Sequence, residues 1–353
     1  MRFLFNVIIS LVQVKMAVEL VSRGAQDVYL TGNPEVSFFR QNYRRYTNFA
    51  QRNIKLDFIG NLAASSEVSI KIPNKGDLLS YMWLDLGSGT AAATGILCND
   101  QSSSATFELW IGGQLIDRQD AFFMVRHWNK YLADSASKPA AASNLGAVDG
   151  TNWLPLHFFF CDSVVLPLIS LQYHEVEVRI KFAASGDPSA IKFYANYIML
   201  DTDERAAFVN MDHEILIEQM QKIGYSGNKF DLSLFNHPVK SLHWSADSAP
   251  SDVQMYLNGS EIFNTTMPIK FFNQVQGYYH SEFWNTELTD QGSLLYMYSF
   301  ALKASKHQPC GTCNFSRIDT GTLNVTGDLH YLYGVNFNVL RIKKGLAGLA
   351  FSN

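Results

Sequence analysis

His307, Cys310 and Cys313 stand at the close spacing of metal ligands, with His330 further along the chain. A structural zinc wants four soft ligands in two close pairs. The second close pair is missing, so a pair of thiols at a strand end is the preferred reading, and neither metal nor cofactor is expected. His174-Glu175 and His213-Glu214 both lack the second histidine that a zinc hydrolase helix carries four residues on. Glu175 and Glu177 form a different candidate. On an extended strand they share one face about 7 Å apart, a separation that a glycosidase can use. Arg179 and Lys181 continue that face, and a solvated or subunit-facing surface explains the pair better. Gly87-Ser88-Gly89-Thr90 lacks the lysine of a phosphate-binding loop, and no Gly-x-Ser-x-Gly turn occurs. No catalytic residue is expected.

Two further groups could meet a partner. Between Glu35 and Asp57 there is no acidic residue, yet Arg40, Arg44, Arg45, Arg52 and Lys55 occur among Tyr43, Tyr46 and Phe49. Such a stretch suits anionic lipid or nucleic acid. Phe38, Phe39 and Phe49 want burial, however, which favours arginines paired with acidic groups on neighbouring segments or subunits. Asn264, Asn314 and Asn324 match the N-glycosylation acceptor pattern, as does Asn258. Asn258 has a better role as a turn residue.

The elements that must hold these residues read as strands. From His174 the sequence alternates: Val176, Val178, Ile180 and Phe182 point one way, Glu175, Glu177, Arg179 and Lys181 the other, as in a half-buried antiparallel strand. Val68, Ile70 and Ile72 alternate similarly up to Pro73. Phe107, Leu109 and Ile111 run into Gly112-Gly113, and Leu115-Ile116 returns, a tight-hairpin signal because primed turns need positive φ. Composition agrees. The chain has 353 residues, 47% hydrophobic and 13% aromatic, and only 17% charged, which excludes disorder. No uninterrupted apolar run of ~18 residues marks a membrane-spanning helix. A net charge of −4 leaves no global footprint for nucleic acid. Four cysteines make no disulfide framework and suit a reducing compartment.

Repetition is more informative still. Trp110-Ile111-Gly112-Gly113-Gln114-Leu115-Ile116 is echoed by Tyr256-Leu257-Asn258-Gly259-Ser260-Glu261-Ile262, and the stretch around Asn196 by that around Asn336. Both echoes come in the same order at nearly one offset, which predicts a tandem duplication of a β-sandwich. Asp201 or Thr202 can cap a short helix between the copies, with Asp203 and Glu204 in its first turn. Residues 134–150, mostly small and polar, read as a long surface loop. Met1 to Lys15 contain a short broken apolar run without a clean cleavage site, and Met16 reads as a natural start. The first fifteen residues are expected to be an upstream-start artefact or an unusual extension.

Several blocks in order carry a family resemblance. They are Gly24-Ala25-Gln26-Asp27-Val28-Tyr29-Leu30-Thr31-Gly32-Asn33-Pro34 with Tyr43-Arg44-Arg45-Tyr46-Thr47-Asn48-Phe49, and Leu166-Pro167-Leu168-Ile169-Ser170-Leu171-Gln172-Tyr173-His174-Glu175-Val176. Leu200-Asp201-Thr202-Asp203-Glu204-Arg205, Phe235-Asn236-His237-Pro238, Gly311-Thr312-Cys313-Asn314-Phe315-Ser316-Arg317-Ile318-Asp319 and Asn338-Val339-Leu340-Arg341-Ile342 follow. From about residue 20 onward the chain resembles the major capsid proteins of nucleocytoplasmic large DNA viruses, the algal-virus branch in particular. The resemblance implies an all-β fold of two tandem eight-stranded antiparallel jelly rolls with a short helical connector. The expected divisions are 1–34 (N-terminal extension and base segment), 35–202 (first jelly roll), 203–212 (connector) and 213–353 (second jelly roll). It also implies a homotrimer whose six jelly rolls make a pseudo-hexagonal capsomer that tiles an icosahedral virion shell assembled in the host cytoplasm. Its implied partners are copies of itself, neighbouring capsomers, minor capsid proteins and an internal membrane near the base, where the Arg40-to-Lys55 patch would face, with no sequence-specific nucleic acid.

The chain departs from the resemblance in its short second half, where only Ser245 to Asp252 separate two strands and Tyr278 to Gly292 looks clipped, and in the extra Cys310. A rival from another class is a carbohydrate-binding or glycan-cleaving jelly-roll protein, with Glu175 and Glu177 working beside Trp153.

Overall fold

The computed structural model describes residues 21–22, 24–40, 43–87, 104–138, 152–162, 164–184, 186–226, 228–250, 253–263, 266–284, 294–327 and 329–351. Two units emerge, Met1–Tyr46 and Thr47–Asn353. Within the first, Gly24 to Gly32 folds locally. The Asp27 carboxylate accepts the Gly24 N–H at 2.9 Å and one helical turn covers Val28–Thr31.

The second unit holds the sheets. Its first half comprises β1 (Phe49–Leu56), β2 (Glu67–Ile72), β3 (Leu78–Asp85), β4 (Thr106–Ile111), β5 (Gln114–Asp120), β6 (Trp153–Pro155), β7 (Leu166–Pro167), β8 (Val176–Lys181) and β9 (Lys192–Leu200). A helix (Thr202–Asn210) follows, then β10 (His213–Gly224), β11 (Lys229–Asp231), β12 (Pro238–Ala246), β13 (Val253–Leu257), β14 (Ser260–Glu261), β15 (Leu294–Ser299), β16 (Cys313–Asn314), β17 (Gly321–Val325), β18 (Leu329–Lys343) and β19 (Leu346–Leu349). All pairings between these strands are antiparallel.

Among the described residues these strands form four sheets, in two matching pairs. In the first pair the orders are β1-β9-β3-β6 and β2-β8-β4-β5; in the second, β10-β18-β12-β15 and β11-β17-β13-β14. Within each half, then, the first strand pairs the last long strand (β1 with β9, β10 with β18), and the hairpin β4–β5 corresponds to β13–β14. Each is a double-sheet jelly roll. Short additions lie off these paths: β7 on β3, β16 on β12 and β19 on β18. The two sequence echoes fall on corresponding strands. Gly113 and Gly259 sit in the β4–β5 and β13–β14 turns, and Asn196 and Asn336 on β9 and β18. Asn196 shares the outer face with Tyr194, whereas Asn336 lies on the side of Leu332, so the second echo marks the strand and not the register.

Alternation explains the layering. Val176, Val178 and Ile180 of β8 and Val68, Ile70 and Ile72 of β2 are buried in the first core with Phe107, Leu109 and Ile111. The second core gathers Trp244, Phe230, Phe235, Phe272 and Tyr296. At the turns, Gly112 and Gly113 have φ of 57° and 79°, Asn258 and Gly259 49° and 77°, the left-handed values that two-residue primed turns demand. The Asn258 side chain also accepts the Asp319 and Thr320 N–H groups at 3.0 and 3.2 Å.

The two glycines of the first turn should respond unequally to substitution. A Cβ on Gly113 meets nothing within 4 Å, so Gly113→Ala is expected to cost only the left-handed backbone penalty of about 1 kcal/mol. A Cβ on Gly112 runs into the His174 ring, whose Nδ1 accepts the Ala347 N–H at 3.0 Å. Gly112→Ala is expected to cost about 3 kcal/mol, as overpacking does. Denaturant unfolding of both variants checks the order.

Between the halves, the sequence motif Leu200 to Arg205 has a structural job. The Asp201 carboxylate caps the helix through the Thr202 N–H at 2.7 Å. Arg205 reaches back to the buried Asp77 at 2.6 and 2.8 Å, and Asp77 also accepts the Leu200 N–H at 2.8 Å. His213 Nε2 lies 3.1 Å from Ser170 Oγ and 2.9 Å from the Phe208 carbonyl.

Candidate functional site

The candidate chemistry disperses over the molecule. His307 lies against the Glu218 carboxylate (3.4 Å) and the Leu216 carbonyl (3.1 Å). The Cys310 thiol donates to the Lys303 carbonyl at 3.2 Å. Cys313 packs on the second core, where burial raises its thiol pKa. His330 lies 3.3 Å from Asp247. Among the described residues no group of histidine, cysteine and carboxylate side chains converges as a metal site would.

Glu175 pairs with Lys71 at 2.9 Å and Glu177 with Arg179 at 3.2 Å. They belong to β8 and its approach, facing out from the sheet that contains β4 and β5. Trp153 is on β6 of the opposite sheet, beside the core residue Leu154, and faces out the other way. The sandwich therefore separates the carboxylates from the aromatic ring that a glycan site would need beside them. Arg52 and Lys55 are exposed on the edge strand β1; three residues apart, they lie on opposite faces. Arg40, Arg44 and Arg45 are exposed within the first unit. Asn314 is exposed and its Oδ1 accepts the Ser316 N–H at 3.2 Å; Asn324 is exposed on β17. Asn264 and most of the loop 134–150 lie outside the described residues.

What the structure does assemble is a pair of sheet faces. The outer face of β10-β18-β12-β15 is covered by a π-wound helix of the first jelly roll, Phe123–Leu132. Phe122, Phe123, Tyr131 and Leu132 pack there on Met220, Leu295, Met297, Tyr333 and Val335. Polar bonds fix the register. The Tyr131 hydroxyl donates to the Leu295 carbonyl at 2.7 Å, and the Ser281 hydroxyl to the Tyr131 carbonyl at 2.7 Å. Lys222 pairs with the buried Asp120 at 2.5 Å, which also accepts the Tyr333 hydroxyl at 3.2 Å. Asp117 accepts the Met220 N–H at 2.9 Å; burial outweighs this and pushes its pKa up to about 7. At the centre the rings of His127 and His243, one from each jelly roll, lie 5.6 Å apart. Burial drives the His243 pKa down to about 3 and that of His127 well below its ordinary value.

That histidine pair predicts an acid response. A histidine whose folded pKa is depressed contributes stability above its unfolded pKa of about 6.5 and loses it as pH falls below. Asp117 works in the opposite sense, since its raised folded pKa favours folding as pH falls from about 7 towards 4. Comparing His127→Phe with the parent cancels Asp117. Neither His127 nitrogen has a hydrogen-bond partner among the described residues, so the variant is expected to match the parent at pH 7.5 and exceed it by about 2 kcal/mol at pH 5. Urea unfolding at both pH values checks it.

No helix among the described residues covers the corresponding outer face of β1-β9-β3-β6. A groove of about 810 Å³ runs along it, lined by Asn53, Tyr81, Trp83, Asp85, Trp128 and Trp153 among others. Trp83 stacks on Tyr194 at 4.4 Å and meets the edge of Trp153 at 6.4 Å. Trp128 stacks on His157 at 3.6 Å and Lys138 pairs with Asp134 at 2.8 Å and with Asp162. Sequence reasoning missed both faces. A signal was available in the Phe-Phe pair at the start of each helix after the hairpins, Phe122-Phe123 before Phe123–Leu132 and Phe271-Phe272 in Phe271–Val275.

Comparison with known proteins bears on this arrangement. Residues 37–205 match the family model described as major capsid protein N-terminus, and residues 246–348 that of the large eukaryotic DNA virus major capsid protein. The major capsid protein of Pyramimonas orientalis virus is 35% identical, over 95% of this chain and 98% of its own. That of Paramecium bursaria Chlorella virus 1 is 31% identical, over 95% and 99%. The crystal structure of VP54 of PBCV-1 superposes with a TM-score of 0.75 at 26% identity, covering 90% of this chain and all of that one. The Faustovirus major capsid protein shares the fold, with a TM-score of 0.66 at 12% identity. Two jelly rolls of one topology, joined face to helix and matched over nearly their whole length, place this chain in the major capsid protein family of large eukaryotic DNA viruses.

Proposed function

We infer that three copies of this chain associate into a pseudo-hexagonal capsomer, and that many capsomers tile an icosahedral shell. The observation that carries this reading is the repeated strand order, β1-β9-β3-β6 and β10-β18-β12-β15, which gives three chains six similar walls. Relatives that are named major capsid proteins and extend over the same length support it. The role is architectural. The chain divides at 203–212 between jelly rolls spanning 35–202 and 213–353, and the segment before residue 35 serves the base. Arg40, Arg44 and Arg45 contribute basic charge toward minor capsid proteins or an internal membrane, while Arg52 and Lys55 divide between the two faces of β1. Asn264, Asn314 and Asn324 are acceptors for glycans, and assembly takes place in the host cytoplasm.

The solution mass of the purified full chain tests the reading. A stable mass of three chains is expected. A chain that remains single across a wide concentration range contradicts it.

A further inference from the structure

The closing strand of the second jelly roll is longer than its own sandwich needs. Its counterpart β9 lies between β1 and β3, which flank it from Phe193 to Leu200 and from Lys192 to Ile198. β18 pairs with β12 only as far as Asn336, yet it runs on to Lys343 with β10 still beside it, His213 opposite Ile342. Along this overhang β19 takes the flank that β12 has left, Leu340 opposite Leu349 and Lys343 opposite Leu346. The turn between them is Lys344-Gly345, with φ of 51° and 83°, so the hairpin sets its own register.

Burial shows where the overhang goes. Ile217, Leu340, Ile342 and Ala347 belong to the second half by sequence, yet they are buried in the first core, with Ile215 and Leu349 packed against it. Hydrogen bonds run across as well. The Gly345 carbonyl accepts the Tyr173 N–H at 3.1 Å, His174 Nδ1 accepts the Ala347 N–H at 3.0 Å, and Gln114 Oε1 accepts the Leu349 N–H at 3.3 Å. Ala347 and Leu349 are alternate residues of β19, so side chains from β5 and from the approach to β8 take up the N–H row on its outer edge. A Cβ on Gly345 would come within 2.7 Å of the Tyr173 ring, which places the turn hard against the first half. Without these residues the first core is left open on that side.

We propose that β19 and the overhang of β18 form a strap that closes the first jelly roll, so that the first half is completed only by the last residues of the chain. A chain whose strap is undocked has an unfinished first jelly roll and stays out of the capsomer; this consequence for assembly rests on the trimeric reading. The strap thus reserves assembly for full-length chains, because every contact that closes the first core from β19 is the last to be synthesised and spans more than 170 residues of sequence, His174 to Ala347, which makes it slow to form.

Hydrogen exchange of the full-length protein, read by mass spectrometry on peptic fragments, tests the strap, and light scattering tests its hold on assembly. Ala347→Asp puts a carboxylate into the first core, where Ala347 is 9% exposed. Fragments from β4 and β8 are expected to exchange about tenfold faster than in the parent and those from β13 and β17 within about twofold, as for separate cooperative units. The scattering mass is expected to fall threefold, from three chains to one. Acceleration in β13 and β17 without β4 and β8 would overturn the strap. A reverse arm decides the matter even if the aspartate variant unfolds throughout. Val178→Ala loosens the first core and Val325→Ala the second. The fragment spanning 345–351 is expected to exchange about tenfold faster in Val178→Ala and within about twofold of the parent in Val325→Ala. Equal acceleration, or the opposite order, would assign β19 to its own jelly roll and overturn the proposal. A parent that scatters as a single chain would overturn the trimeric reading and the hold on assembly, while the exchange arms still judge the strap. A trimer that survives Ala347→Asp with β4 and β8 accelerated would overturn the hold on assembly alone.

Discussion

Trp244→Ala is expected to lose about 4 kcal/mol of folding stability, the range for an aromatic removed from a closed core. The indole is fully buried in the second jelly roll, 5.3 Å from the Phe272 ring and 5.9 Å from that of Tyr296. Phe272 lies in the first turn of the helix Phe271–Val275, which continues as Gln276–His280, so the cavity falls at the root of that helix. Denaturant unfolding measures the loss. Stability within 1 kcal/mol of the parent would show that β12 is not packed as described.

The second large effect comes from a charge. Lys240 is 2% exposed on β12, its Nζ 2.6 Å from the Glu218 carboxylate and 5.6 Å from the Phe337 ring centre. Burial works to raise the Glu218 pKa, but Lys240 and His307 together hold it below its ordinary value. Removing the cation leaves the Glu218 carboxylate, half-buried, with only His307 beside it among the described residues. Lys240→Ala is expected to cost about 3 kcal/mol, as breaking a buried pair does. Most of that loss should return in Lys240→Met/Glu218→Gln, which takes away both charges and keeps the volume. A double variant no better than the single one would locate the cost in packing and not in the stranded charge.

These residues also show where the sequence was readable. The β8 strand announces itself because its alternation covers eight residues and one face is buried whole. The Gly112-Gly113 and Asn258-Gly259 turns are legible because positive φ restricts the choice of residue. The duplication was visible through the same turns, since a hairpin sets its own register. Both outer faces were not. Trp83, Trp153 and Tyr194 come from three strands that are sequence-distant, and His127 meets His243 across two jelly rolls; no local period encodes such meetings. The helix Phe123–Leu132 has a stripe of Phe123, His127 and Tyr131 at spacing four, but it is short and follows a strand run, so the alternation before it dominated. Glu175, Glu177 and Trp153 suggested a glycan site for the same reason. One-dimensional proximity cannot tell the two sheets of a sandwich apart.

Electron microscopy of the purified full-length chain decides whether the ring forms. Class averages with a six-lobed outline and threefold symmetry are expected, each chain supplying two adjacent lobes. Separate two-lobed particles at every concentration, with no closed rings, would contradict it.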